Sequence, residues 1–174
     1  MIPFADHCAR VERYLEETAG IRVVTRAIPG PLIGDLDGCE IHIDDCARAD
    51  QRLFLLGHLF GHTVQWNTDP EAFELGRIRT PPVEEGLLPA IMAYEREAAC
   101  YALGMFDLVG VTGLAQWFSD YTACDMAYLL HYYRTGEKVE FARFWRDLTG
   151  LIEPKAAPPF TPLKRVFRLA GVVI

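Results

Sequence analysis

The sequence has no CxxC pair, no internal repeat, no low-complexity tract and no surplus of basic residues. Its five cysteines, Cys8, Cys39, Cys46, Cys100 and Cys124, are odd in number and scattered. That pattern excludes a disulfide framework and a cysteine-based zinc site, and it fits reduced thiols in a cytoplasmic protein. Lys and Arg number 17 against 24 Asp and Glu, a formal charge of −7. An acidic surface repels phosphate backbones, so direct nucleic-acid binding is not expected. Met1–Arg13 holds no apolar core segment of the kind a secretory signal needs. The longest uncharged central run, Leu53–Thr68, is interrupted by His58, His62 and Gln65 and is too short to span a bilayer, so no membrane role is expected.

What is present points to a packed core. Of the 174 residues, 51% are hydrophobic and 11% aromatic, which rules out intrinsic disorder for most of the chain. The length suits one domain, read as residues 1–153, followed by a Pro-rich basic arm over 154–174. An amphipathic helix is expected from about Phe4 to Thr18, stopped by Gly20. Ile21–Thr25 is β-branched and reads as a strand, ended by Pro29-Gly30-Pro31. Leu32–Leu36 reads as a second strand, and Asp37-Gly38 as a hairpin leading into a third at Cys39–Ile43. Together they predict a small antiparallel or mixed sheet. Asp44 or Asp45 is placed to cap a helix over Ala47–Trp66, apolar nearly all round and therefore a core helix. A charged, Pro-rich loop over Asn67–Glu85, a second long helix over Leu88–Val109, one or two helices over Gly110–Gly136 and another over Val139–Leu148 complete the chain. The arm carries Lys164-Arg165-Val166-Phe167-Arg168 and reads either as wrapped on its own domain or as a docking segment for an acidic partner.

His58 and His62 stand four apart on the apolar helix, so their imidazoles share one face a turn apart. Leaving two buried imidazoles unpartnered would cost about 1–3 kcal/mol each, a cost that a shared cation removes. A third ligand is sought on the next long helix, at Glu95 or Glu97. These two are separated by about 200° around the helix, so only one can face the histidines. Ala93, Ala98, Ala99 and Ala102 allow the two helices to approach closely. His7 and His42 have no motif context.

The segment Arg52-Leu53-Phe54-Leu55-Leu56-Gly57-His58-Leu59-Phe60-Gly61-His62, preceded by Asp37–Asp44, resembles the zinc helix of ImmA/IrrE-type metallopeptidases. Glu95-Arg96-Glu97-Ala98-Ala99-Cys100-Tyr101-Ala102 is similar to that family's following motif. The resemblance covers about residues 1–135. It implies an α+β, zincin-like minimal metallopeptidase fold, with His58, His62 and Glu95 holding Zn2+. It also implies that Leu59 occupies the place of the family's general base, which leucine cannot serve. Glu71, Glu74, Glu84 and Glu85 in the long loop are candidates to replace that base. His131, Tyr128 and Tyr132 are candidates for a polar contact at the site.

Three readings follow. The first is a catalytically impaired zinc-binding pseudo-peptidase that binds or regulates a protein or peptide partner. The second is an active metal-dependent peptidase or hydrolase with a displaced general base. The third is a metal-free relative whose histidines are satisfied by protein groups.

Overall fold

The computed structural model describes residues 2–29, 33–77 and 81–165. Helix α1 spans Phe4–Glu17 and three strands follow: β1 (Arg22–Arg26), β2 (Gly34–Leu36) and β3 (Glu40–Asp44). Then come α2 (Ala49–Thr68), α3 (Pro70–Gly76), α4 (Leu88–Leu108) and α5 (Ala115–Thr135). The chain is thus a mostly helical α+β domain with a small sheet near its N-terminus.

The sheet is mixed, in the order β1-β3-β2. Strand β3 pairs parallel with β1, Val24 opposite His42, and antiparallel with β2, Asp35 opposite His42. The hairpin signal at Asp37-Gly38 forms as expected. The Asp37 carboxylate accepts from the amides of Cys39 and Glu40, at 2.9 and 2.8 Å, and closes the turn between β2 and β3.

Helix α2 is the axis of the molecule. Every residue from Leu53 to Trp66 is buried, as its lack of a polar face requires. Val11 and Leu15 of α1, Ile41 and Ile43 of β3, and Phe106 of α4 join it in one core. The contact with α4 is unusually close. A Cβ on Gly61 would collide with the Ala98 backbone, and one on Gly57 would lie 3.1 Å from the Ala98-plus-four side chain, Ala102. Two glycines four apart on α2 therefore face two alanines four apart on α4, and the small-residue spacing noted in the sequence is the seam between them.

Several boundaries differ from expectation. The cap of α2 is Arg48, whose backbone N–H donates to Gln51 Oε1. Asp44 instead accepts from Ile28 and Cys46 and ties the strand ends together. The segment expected as a loop after α2 contains α3, whose N-terminal amides at Glu71 and Ala72 are accepted by the Asp69 carboxylate, with Pro70 following it. Gly110–Gly136 holds one helix, α5, which begins only at Ala115, and Val139–Leu148 holds only a short turn at Phe141–Phe144. Gly30, Pro31 and Leu32, part of the expected second strand and its turn, lie outside the described residues, as do Val166, Phe167 and Arg168 of the arm.

The described part of the arm lies on the domain. Lys155 N–H donates to Cys100 O at 2.9 Å, Phe160 packs near Phe60, and Leu163 N–H donates to Asn67 Oδ1 at 3.0 Å. Lys164 stands 3.1 Å from the Asp37 carboxylate. Among the described residues no helix is long and apolar enough to cross a membrane.

The seam yields a stability test. Gly61→Ala should cost about 1–3 kcal/mol in urea unfolding, because the added methyl meets rigid backbone. Gly86→Ala, at a position with open space around it, should stay within about 0.5 kcal/mol of the parent.

Candidate metal centre

The seam between α2 and α4 sets the position of three polar side chains. His58 and His62 each follow a seam glycine by one residue, and Glu95 precedes Ala98 by three. All three are buried, at 1%, 3% and 6% exposure. Their ligand-type atoms converge. His62 Nε2 lies 3.0 Å from His58 Nε2 and 3.0 Å from Glu95 Oε2, and His58 Nε2 lies 3.4 Å from the same oxygen. Ligands held at about 2.0–2.1 Å around a tetrahedral cation stand roughly 3.3 Å apart, so the triangle has the size such an ion requires.

Proton bookkeeping leaves a place between His62 and Glu95 for a proton or a cation. His62 Nδ1 lies 2.9 Å from Gln65 Oε1, while Gln65 Nε2 donates to Tyr94 O at 2.9 Å and to Glu97 Oε2 at 3.0 Å. Gln65 must therefore turn its oxygen toward the imidazole, which places the His62 proton on Nδ1 and leaves a lone pair on Nε2. That lone pair faces a carboxylate oxygen. A proton or a metal ion has to sit between them.

The electrostatics favour the ligating forms. Burial, then the neighbouring His62, lower the His58 pKa to about 3, so its imidazole is neutral near neutral pH. Burial acts to raise Glu95, but the two histidines outweigh it and hold the carboxyl below its ordinary range. The Tyr94 ring stacks on His62 at 4.5 Å, and the Phe54 ring stacks on His58 at 5.4 Å. Behind His62, Nδ1–H donates to the side-chain oxygen of Gln65 on the same helix; His58 Nδ1 has no partner among the described residues.

The remaining candidates lie elsewhere. Glu97 points away from the triad and engages Gln65 and Lys155. Glu71, Glu74, Glu84 and Glu85 are exposed, Glu74 pairing with Arg77 and Glu85 with Arg134. His131 hydrogen-bonds Thr135 on its own helix, and Tyr128 packs against Tyr132, Phe141 and Phe144. His7 is half-buried on α1, and His42 Nδ1 accepts from Arg26 Nε at 3.1 Å. Two further acidic groups, Asp37-Glu40-His42 and Asp44-Asp45-Cys46, are close enough to suggest a cation. Both are better explained locally, because Asp37 and Asp44 spend their oxygens on backbone amides.

Two residues at the site went unremarked in the sequence. Gln65, three after His62, had a readable signal, since that spacing puts it on the same helix face. Asp125 of α5, buried and with its carboxyl pushed well above its ordinary range by burial and then by the charge of Glu95, had none.

No family model, curated protein or solved structure matches the chain. The resemblance to ImmA/IrrE-type metallopeptidases therefore assigns no family, and the impaired-enzyme reading built on it is corrected by the site itself. The triad is intact, with Glu95 present, buried and in contact with both histidines. It is not a motif whose glutamate has been lost to leucine. Leu59 is a fully buried core residue, and its side chain packs against Gly34 of β2. Its identity reports helix–sheet packing and says nothing of a disabled centre.

Gln65 provides a direct test of the outer shell. Gln65→Ala should weaken zinc binding by about 10–100-fold in a chelator competition, since the His62 tautomer is no longer enforced.

Proposed function

We propose that this chain is an active metal-dependent hydrolase, with one divalent cation held by His58, His62 and Glu95. The observation that carries the reading is the mutual 3.0–3.4 Å spacing of three donor atoms on two tightly packed helices. Two imidazoles and a carboxylate suit zinc, which takes both nitrogen and oxygen donors readily. Among the described residues no fourth His, Cys, Asp or Glu joins the group. Three protein ligands with a free coordination position is the catalytic arrangement, whereas structural sites are closed by a fourth ligand.

Bound there, the cation supplies Lewis acidity, which acidifies water and polarises a carbonyl or phosphoryl oxygen. The chain supplies the rest. Glu95 and the neutral imidazoles set the charge of the centre, and Gln65 and Tyr94 hold His62 in orientation. A groove of about 540 Å³ runs beside the site and shares Gln65 and Tyr94 with it, and Asp69, Glu71 and Glu97 also line it. None of the three ligands lines it, and its acidic lining favours a protein or peptide segment carrying positive charge, held beside the outer face of His62. Leu59 excludes a proton acceptor from the histidine motif, so that acceptor comes from another element.

The test starts with protein purified without added metal. A single zinc per chain is expected by elemental analysis, and it should be lost in His58→Ala and in Glu95→Ala. Fluorescent casein should be cleaved in a chelator-sensitive way, with activity restored by zinc. Zinc at about 1,000 times its Kd should stabilise the native chain by about 4 kcal/mol. A chain that takes up no metal, with a melting temperature indifferent to zinc, would refute the reading and leave a buried His–Glu ion pair.

A further inference from the structure

Asp125 is the least explained polar group in the core. It is 1% exposed, and neither carboxylate oxygen has a hydrogen-bond partner among the described residues. Asp120 on the same helix shows what a structural aspartate looks like here. Its oxygens accept from Gln116, Leu148 and Thr149 and stitch α5 to the following segment. Among the described residues nothing comparable bonds to Asp125.

Its position is informative. Tyr121, one turn earlier on α5, stacks 4.0 Å from the Phe54 ring, and Phe54 stacks on His58. That face of α5 therefore covers the side of α2 that carries the triad. Burial, and after it the charge of Glu95, push the Asp125 carboxyl well above its ordinary pKa, which places Glu95 within electrostatic reach. Tyr121, Cys124 and Tyr128 are the other titratable groups coupled to it. Neither Asp125 nor Glu95 is paired with a Lys or Arg among the described residues. Burial and Glu95 thus make Asp125 a carboxyl that holds a proton readily, while the two histidines keep Glu95 ionised.

Asp125 is not a fourth ligand. Its oxygens do not join the group of atoms lying within 4.8 Å of one another. Asp125 follows Tyr121 by one turn on α5, as His58 follows Phe54 by one turn on α2, so it stands on the α5 face turned toward that helix. We propose that Asp125 is the displaced general base, taking the proton from the water that attacks at the free position of the centre; this rests on the hydrolase reading. One water O–H bond breaks and its proton passes to an Asp125 oxygen. The released electron pair forms the bond from the water oxygen to the substrate carbon, and the carbonyl π pair moves onto its own oxygen. When that pair returns, the bond to the leaving group breaks and the leaving group takes the proton back from Asp125. No redox partner is needed.

The experiment compares the full chain with Asp125→Asn and Asp125→Glu, each loaded with cobalt(II) or with zinc. Asp125→Asn keeps the shape, so folding is checked by its melting temperature. Asp125→Glu keeps a carboxylate should the amide not fold. The expected result is full cobalt uptake by Asp125→Asn with unchanged visible bands, showing an intact ligand set. Casein cleavage by its zinc form should fall by ~10²–10⁴. The pH midpoint of the cobalt spectrum should move down, because a negative charge beside the ionising water has gone. Asp125→Glu should keep the parent midpoint and recover part of the cleavage.

Altered cobalt bands in Asp125→Asn would make Asp125 a ligand and overturn the proposal. So would parent-like cleavage and an unmoved midpoint, which would mark a core residue only. If casein is not cleaved even by the parent, the midpoint alone decides. Failure of the parent itself to take up cobalt, or uptake indifferent to His58→Ala, would overturn the hydrolase reading and this proposal together, a result distinct from every Asp125 outcome.

Discussion

The close approach of α2 to α4 is the constraint on which the rest of the molecule depends. Gly57 and Gly61 meet Ala102 and Ala98 with no room for an extra carbon. Dispersion falls steeply with separation, so a seam of small residues holds two helices in one register more tightly than large flexible side chains would. His58, His62 and Glu95 inherit that register. Each lies within three residues of a seam position, and so the ligand triangle is set by backbone packing before any cation arrives. Donors held in this way would need little reorganisation to take up a cation.

The same packing raises the electrostatic stakes. A carboxylate and two imidazoles sit under Phe54 and Tyr94, away from solvent. Low polarity around them penalises an unmatched charge and strengthens a matched one. Gln65 resolves part of this by fixing where the His62 proton lies, and Glu97 and Tyr94 in turn fix Gln65. The polar groups are thus coupled to one another more than to the hydrocarbon they sit in. Removing one leaves the others unsatisfied, which is why such networks resist piecemeal change.

The sequence made the near half of this site legible. Two histidines four apart in an apolar helix, and a glutamate among alanines on the next helix, are local patterns with local consequences. The Asp37-Gly38 turn was legible for the same reason. Asp125 was not, because a lone aspartate thirty residues from Glu95 carries no periodic signal and its burial depends on the packing of α5. Leu59 misled in the opposite direction. Read within a borrowed motif it marked a missing base, while in the structure it fills the contact with Gly34. Helix α3 was overlooked although Asp69-Pro70 is a start signal, because the prolines and charges around it read as loop. The lack of a helix over Val139–Leu148 has a tertiary cause, since Thr149 and Leu148 turn back to Asp120 instead.

The arm beyond residue 153 completes the argument about the centre. Lys155 bonds to Cys100 O through its backbone and pairs with Glu97 through its side chain. A Cβ on Gly104 would strike the Lys155 backbone, so α4 is as tightly covered here as it is by α2. Glu97 also accepts from Gln65, which accepts from His62. One continuous chain of polar contacts therefore runs from the exposed arm to the outer nitrogen of the His62 imidazole. The arm is a terminal strap in position, yet its lysine neutralises the carboxylate that orients Gln65. Without that neutralisation Glu97 would be a free negative charge beside a groove already lined by Asp69 and Glu71. The segment that looks most dispensable in the sequence thus bears on the tautomer of His62, and through it on how the centre presents its lone pair.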